Sequence, residues 1–184
     1  MRPTPRTLAL VVAMTSASLW ARSAYALTLV LVRHAEKATG DDPPLTPGGE
    51  ARAERLAQLF AGRPLAAIYV TDTRRSAATA APTAREKKLE PLVRSRKNGP
   101  EHVKGLAAEL RARADTDLVL AVEHSDTVPL LLTALGVAHA PTLGEADYGD
   151  VFVVTWSAAS PPSQPPVFLR LALPAETPKP PPKG

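Results

Sequence analysis

The chain has 184 residues, 45% of them hydrophobic and 22% charged, with no cysteine. That length suffices for one domain with a packed core, and the lack of thiols excludes disulfides and thiolate chemistry. The formal net charge of +4 argues only weakly for nucleic-acid binding, because part of it lies in an N-terminal leader.

Residues 1–26 read as a signal peptide. Arg2 and Arg6 form a positive start, Leu8 to Trp20 is mostly apolar, and Ala24-Tyr25-Ala26 has the small-x-small pattern of a cleavage site. The apolar run is too short for a good membrane span. Cleavage before Leu27 would remove Arg2, Arg6 and Arg22, and with them three of the four net positive charges. The expected location is periplasmic or secreted.

Leu29-Val30-Leu31-Val32 reads as a buried strand that ends in Arg33-His34-Ala35-Glu36-Lys37. A Gly/Asp/Pro loop follows from Thr39 to Pro44. Thr46 is then the expected N-cap of a helix with Pro47 in its first position. Ala53, Leu56, Ala57 and Phe60 give that helix one apolar face, and Gly62 and Pro64 end it.

Ala67-Ile68-Tyr69-Val70 is a second short strand, and an alanine-rich helix follows Thr71-Asp72. Pro82 falls inside that helical pattern and is expected to kink or end it. A further short strand is expected around Leu89 to Val93. Val103, Leu106, Ala107 and Leu110 mark another helix, and Leu118 to Val122 a third strong strand. His124-Ser125-Asp126 then precedes a helix starting at Thr127, with Pro129 in its first turn.

Strands are expected over Val151 to Trp156 and Val167 to Leu171. Residues 174–184 carry five prolines and two lysines, and read as a disordered tail. The domain itself is 27–173. Strands alternating with helices imply an α/β three-layer sandwich, with a mostly parallel central sheet and helices on both faces.

That architecture predicts a convergence. His34, Arg75 and His124 each follow a strand, so in parallel strands all three lie at the same C-terminal edge. Two histidines with Arg33 and Arg75 make an anion site, because guanidinium forks match phosphate oxygens. A neutral His34 could attack phosphorus if a backbone carbonyl held its other ring nitrogen as N–H. Protonated His124 would share the transition-state charge. The leaving alcohol needs a proton, so a carboxylic acid is expected nearby.

These blocks resemble the histidine phosphatase (phosphoglycerate mutase-like) superfamily. Leu31 to Lys37 resembles the RHG-type signature, in the "RHAEK" form of small exported members. Leu45-Thr46-Pro47-Gly48-Gly49 is similar to the "LTxxG" helix start. Thr71 to Ala80 resembles the "SSxxxRxxxTA" block and aligns Arg75 with its arginine. Val122 to Pro129 is similar to the "GHSNTxP" block, which carries the second histidine at His124. The resemblance runs from about Leu29 to Trp156. It implies a phosphohistidine on His34, with Arg33, Arg75 and His124 binding the phosphoryl group, and no metal or cofactor. The implied partner is a small phosphorylated substrate, of the sugar or lipopolysaccharide phosphate class, and not nucleic acid.

Some positions depart from the pattern. Glu123 stands where glycine is usual, so its carboxylate must turn away from the pocket or activity falls. Asp126 and Glu101 are the candidate proton donors, with Asp126 preferred. Glu36 either orients Arg33 or a pocket backbone group, or is a surface residue. Asp72 is a candidate helix cap, and Arg74 a solvated residue. His102 and His139 are read as surface residues. The Arg94 to Lys97 run is either solvated charge or a greeting for an anionic substrate. A rival reading takes His34, Glu36, His124 and Asp126 as metal ligands, although the neighbouring arginines disfavour a cation. Further alternatives are a non-catalytic phosphate-binding module and a mutase-like phosphotransferase.

Overall fold

In a computed structural model the described residues are 26–114, 116–157 and 164–173. The tail 174–184 and all of the leader except Ala26 lie outside them. Six strands form one sheet: β1 (Leu27–Arg33), β2 (Ala67–Thr71), β3 (Leu92–Arg94), β4 (Leu118–Glu123), β5 (Asp150–Trp156) and β6 (Val167–Ala172). Four helices accompany them: α1 (Pro47–Gln58), α2 (Arg74–Lys87), α3 (Gly99–Arg111) and α4 (Thr127–Ala134).

The sheet order is β3-β2-β4-β1-β5-β6. The first four of these strands are parallel, β5 runs antiparallel to β1, and β6 runs antiparallel to β5. Hydrophobic alternation alone does not set strand direction. After α4 the chain runs back without a further helix, so β5 enters from the edge at which β1 ends. Val32 pairs with Val151 there, and Leu27 with Trp156 at the far end.

Both faces of the sheet are covered. Leu27, Leu29, Leu31, Tyr69, Ala121 and Phe152 pack with residues of α3 and α4. The alternating set Val30, Val32, Ile68, Val70, Leu120 and Val122 packs with Leu56 of α1 and Ala80 of α2. Each fully buried aliphatic side chain contributes about 1.5–3 kcal/mol by leaving water, which makes the two-sided apolar strands the main source of the fold's stability.

One helix start follows the expected chemistry and a second corrects it. Thr46 caps α1, its hydroxyl accepting from Gly49 N at 3.1 Å, with Pro47 next. Thr73, rather than Asp72, caps α2 by accepting from Ser76 N. Asp72 instead accepts from the Ser95 hydroxyl and Arg96 N. Pro82 does not end α2, which continues to Lys87 and stops where Lys88 takes a left-handed conformation at φ 54°. Burial of Pro82, Thr79 and Thr83 along one face of the helix outweighs the lost hydrogen bond.

The α1 start also locks the first motif in place. A Cβ at Gly49 would lie 2.2 Å from the backbone oxygen of Glu36. That oxygen already accepts from Thr46 N at 2.9 Å. Gly48, in contrast, would bring a Cβ no closer than 3.8 Å to Thr46 Oγ1. Gly49→Ala should therefore destabilise the protein by about 2 kcal/mol or more. Gly48→Ala should be neutral, or stabilising by up to about 1 kcal/mol through helix propensity. Urea melts of the two variants read the contrast, and equal midpoints would refute the close-approach account.

Candidate active site

The site forms where β1, β2 and β4 end. Arg33 pairs with Glu123 in the β1–β4 register, so His34 and His124 leave adjacent strands at the same height. Their rings stand edge-on, with centroids 5.1 Å apart. Both residues are buried, at 3% exposure each.

His34 has its tautomer set by the backbone. Its Nδ1 lies 2.8 Å from the Ala35 carbonyl, so Nδ1 carries the hydrogen and Nε2 keeps a lone pair. Burial, opposed by that hydrogen bond and reinforced by the charges of Arg75 and Arg33, pushes its pKa from 6.5 down to about 4. The ring is neutral at pH 7.

His124 is fixed the other way round. Its Nε2 donates to Thr71 Oγ1 at 2.8 Å, and its Nδ1 accepts from Arg75 at 3.4 Å. Burial, then the charges of Arg96 and Arg75, push its pKa down to about 2. The expected imidazolium is therefore not present in the free protein. A proton on His124 needs an anion beside it to offset the guanidiniums.

Arg75 spans this edge. One amino group reaches His124, and the other donates to Asp42 at 3.2 Å. Asp42 also accepts from Arg74 N at the start of α2. The loop composition did not distinguish Asp42 from its neighbours, and only the fold places it here. Thr79 ties the same helix to the first motif. Its hydroxyl accepts from Ala35 N at 2.9 Å and donates to Arg75 O at 2.7 Å.

Arg33 is 4% exposed and faces the loop before β5. Its NH1 donates to the Gly144 carbonyl at 2.6 Å and to Glu145 O at 3.2 Å, and its guanidinium lies 4.1 Å from the Tyr148 ring centroid. Tyr148 also stands 5.9 Å from His34. No sequence signal singled it out, because it arrives on the loop of the antiparallel return. The buried Nε atoms of Arg33 and Arg75 have no hydrogen-bond partner among the described residues. Guanidinium hydrogens held this way suit an anionic ligand.

The carboxylates occupy other positions. Asp126 is 62% exposed and accepts from Arg96 at 2.8 Å. Glu101 is exposed in the first turn of α3. Glu36 accepts from Arg52 Nε at 2.8 Å and from its NH2, not from Arg33, and the charge and hydrogen bonds of Arg52 hold its pKa below the usual range. Glu123 has turned away from the pocket, as its survival there requires. It is 1% exposed and accepts from His102 at 3.0 Å. The surface reading of His102 is thereby corrected. It is 8% exposed, and Glu123 raises its pKa. Helical periodicity put Val103 and Leu106 inside, but could not show that their neighbour had a buried partner on β4. Among the described residues no group of three or more His, Cys, Asp and Glu is arranged to hold a metal.

This fold and site define a class: an α/β protein of phosphoglycerate mutase-like architecture with a paired-histidine edge. The sequence model of the histidine phosphatase superfamily (branch 1) matches residues 29–98. The chain is similar to a SixA structure from Nakamurella multipartitia, at 26% identity and a TM-score of 0.51, over 71% of this chain and 84% of that one. It shares the fold of the protein histidine phosphatase SixA complexed with tungstate, at 19% identity and a TM-score of 0.62, over 79% and 96%. A mycobacterial glucosyl-3-phosphoglycerate phosphatase is 19% identical with a TM-score of 0.58, over 82% and 100%. No curated protein matches the chain. The family match and the shared fold together support the histidine phosphatase superfamily.

Because both pocket histidines are held neutral, the unfolded chain takes up protons there that the folded protein refuses. Stability should be lost as pH falls from 6.5 towards 4 for His34, and further for His124. His102 works in the opposite sense. Its contribution is complete below 6.5 and is lost as pH rises through its raised pKa. The melting temperature should fall between pH 6.5 and 5, above the range where the lowered carboxylates titrate, and H34N/H124N should flatten that fall. An unchanged slope in the double variant would contradict the assignment.

Proposed function

We propose that the chain is a metal-independent phosphomonoesterase working through a phosphohistidine on His34. The observation that carries this reading is the Nδ1–Ala35 hydrogen bond. It leaves Nε2 with a lone pair, on a ring that stands 5.1 Å from that of His124, which is itself bonded to Arg75. The Nε2 lone pair forms a bond to phosphorus as the P–O bond to the leaving group breaks. Arg33, Arg75 and His124 bind the phosphoryl oxygens, and His124 becomes able to hold a proton as their charge develops. Water then attacks phosphorus as the P–Nε2 bond breaks, its proton passing to the carboxylate that protonated the leaving group, so that phosphate is released and His34 restored.

Asp126, at the start of α4, is the carboxyl proposed to protonate the leaving oxygen, once freed from Arg96. A second reading rests on that same ion pair. Because Asp126 is engaged with Arg96, a leaving group that needs no carboxylic acid is also suited to the site. A phosphoramidate nitrogen is of that kind, because it is basic enough to take its proton from solvent before the P–N bond breaks, and a protein histidine phosphatase is among the shared folds. We also propose that the protein acts outside the cytoplasm after loss of residues 1–26, on the strength of the leader's charge, apolar run and cleavage pattern.

Rapid quench with a ³²P-labelled aryl phosphate should trap acid-labile, base-stable phosphoprotein in the wild type and none in His34→Ala. Hydrolysis undiminished in His34→Ala would refute the mechanism, and phosphate binding without turnover would favour the binding-module alternative. The proton donor has its own assay. Asp126→Asn should slow an alkyl phosphate by about 100-fold while sparing a phosphoramidate. Equal rates on the alkyl ester in wild type and variant would remove Asp126 from the mechanism.

A further inference from the structure

Residue 123 is bonded towards both pocket histidines. Its backbone carbonyl accepts from His34 N at 2.8 Å. Its carboxylate accepts from the Thr127 hydroxyl at 2.7 Å, and that hydroxyl in turn accepts from His124 N at 3.0 Å. On the far side the carboxylate is held by His102 Nε2, at 3.0 and 3.1 Å. All of these groups are buried, with Glu123 and Thr127 each 1% exposed.

The direction of each bond matters. A hydroxyl that accepts from His124 N–H must send its own hydrogen elsewhere, and the nearby acceptor is Glu123. With the carboxylate absent, Thr127 is free to rotate and the His124 amide loses a fixed acceptor. His102 supplies the second anchor, so that the carboxylate cannot swing towards the phosphoryl pocket, where it would repel the substrate.

We propose that Glu123, clamped by His102, is a positioning residue that fixes His124 relative to His34 through the Thr127 hydroxyl. It touches no substrate. This gives a role to Glu123, which stands where the resembled pattern has glycine, and it rests on the phosphatase reading above. The spacing of the two rings is what the relay holds. A small displacement of one reacting group lowers the chemical step far more than it lowers binding, so the cost should fall on kcat.

Two variants separate positioning from simple structural support. Thr127→Val removes the hydroxyl and leaves the Glu123–His102 pair in place. H102L/E123L removes both buried partners together, which avoids stranding either one. It leaves the buried Thr127 hydroxyl without its acceptor, so a modest fall in melting temperature is expected in a protein that still folds. In full-length protein with an aryl phosphate, both should lower kcat by about tenfold to hundredfold with little change in KM. Thr127→Ser should recover most of the loss. Either variant turning over like the wild type while folded would overturn the proposal.

A second readout does not depend on turnover. The ring ¹⁵N resonances of His124, and the nuclear Overhauser contacts between the His34 and His124 rings, should shift in Thr127→Val and in H102L/E123L and return in Thr127→Ser. Should the wild type show no His34-dependent hydrolysis, the phosphatase reading fails by itself. Unchanged His124 resonances in both variants would then overturn the relay.

Discussion

The parallel register of β1 on β4 is the constraint on which the site depends. Leu31 sits beside Ala121, Val32 beside Val122 and Arg33 beside Glu123, so the next residue on each strand is a histidine. A one-residue slip would move one ring by about 3.3 Å and turn its strand's apolar set to the wrong face. The register is held by burial on both sides of the sheet. At its end it is held by the bond from His34 N to the Glu123 carbonyl.

The electrostatics of the edge follow from this packing. Two imidazoles are driven neutral by burial and by nearby guanidiniums. Neutrality leaves His34 with a lone pair, and it means that His124 takes a proton only when negative charge arrives beside it. Arg75 couples the two states, because it donates to His124 while its other amino group rests on Asp42. A phosphoryl group entering there would bring acceptors to hydrogens that are otherwise poorly used, which is the usual logic of a preorganised anion site.

The residues around this edge divide by the load they carry. Glu36 and Arg52 anchor the first motif to α1 and to the carbonyl of Leu173 after β6. Ser76 bridges β2 and β4, accepting from Thr71 N and donating to the Val122 carbonyl. Gly49 lets α1 approach the Glu36 carbonyl. These are short polar contacts among buried and part-buried groups, where an unmatched donor is costly and a matched one enforces a single geometry.

Much of this was legible in the sequence. The apolar runs over β1, β2 and β4, the Thr46-Pro47 helix start and the places of His34, Arg75 and His124 after those strands could all be read from local pattern. Periodicity and capping act within a few residues, and one sequence displays them fully. Four other features were decided by tertiary structure. These are the antiparallel return of β5, the arrival of Tyr148 and Asp42 at the site, the continuation of α2 through Pro82, and the burial of His102 on Glu123. Each depends on partners distant in the chain. Which way a carboxylate turns, or whether a helical histidine is buried, is set by what lies across the interface. The motif around Leu29 to Lys37 determined where chemistry would emerge, and the packing of β4, α2 and α3 against it decided which side chains would share that edge.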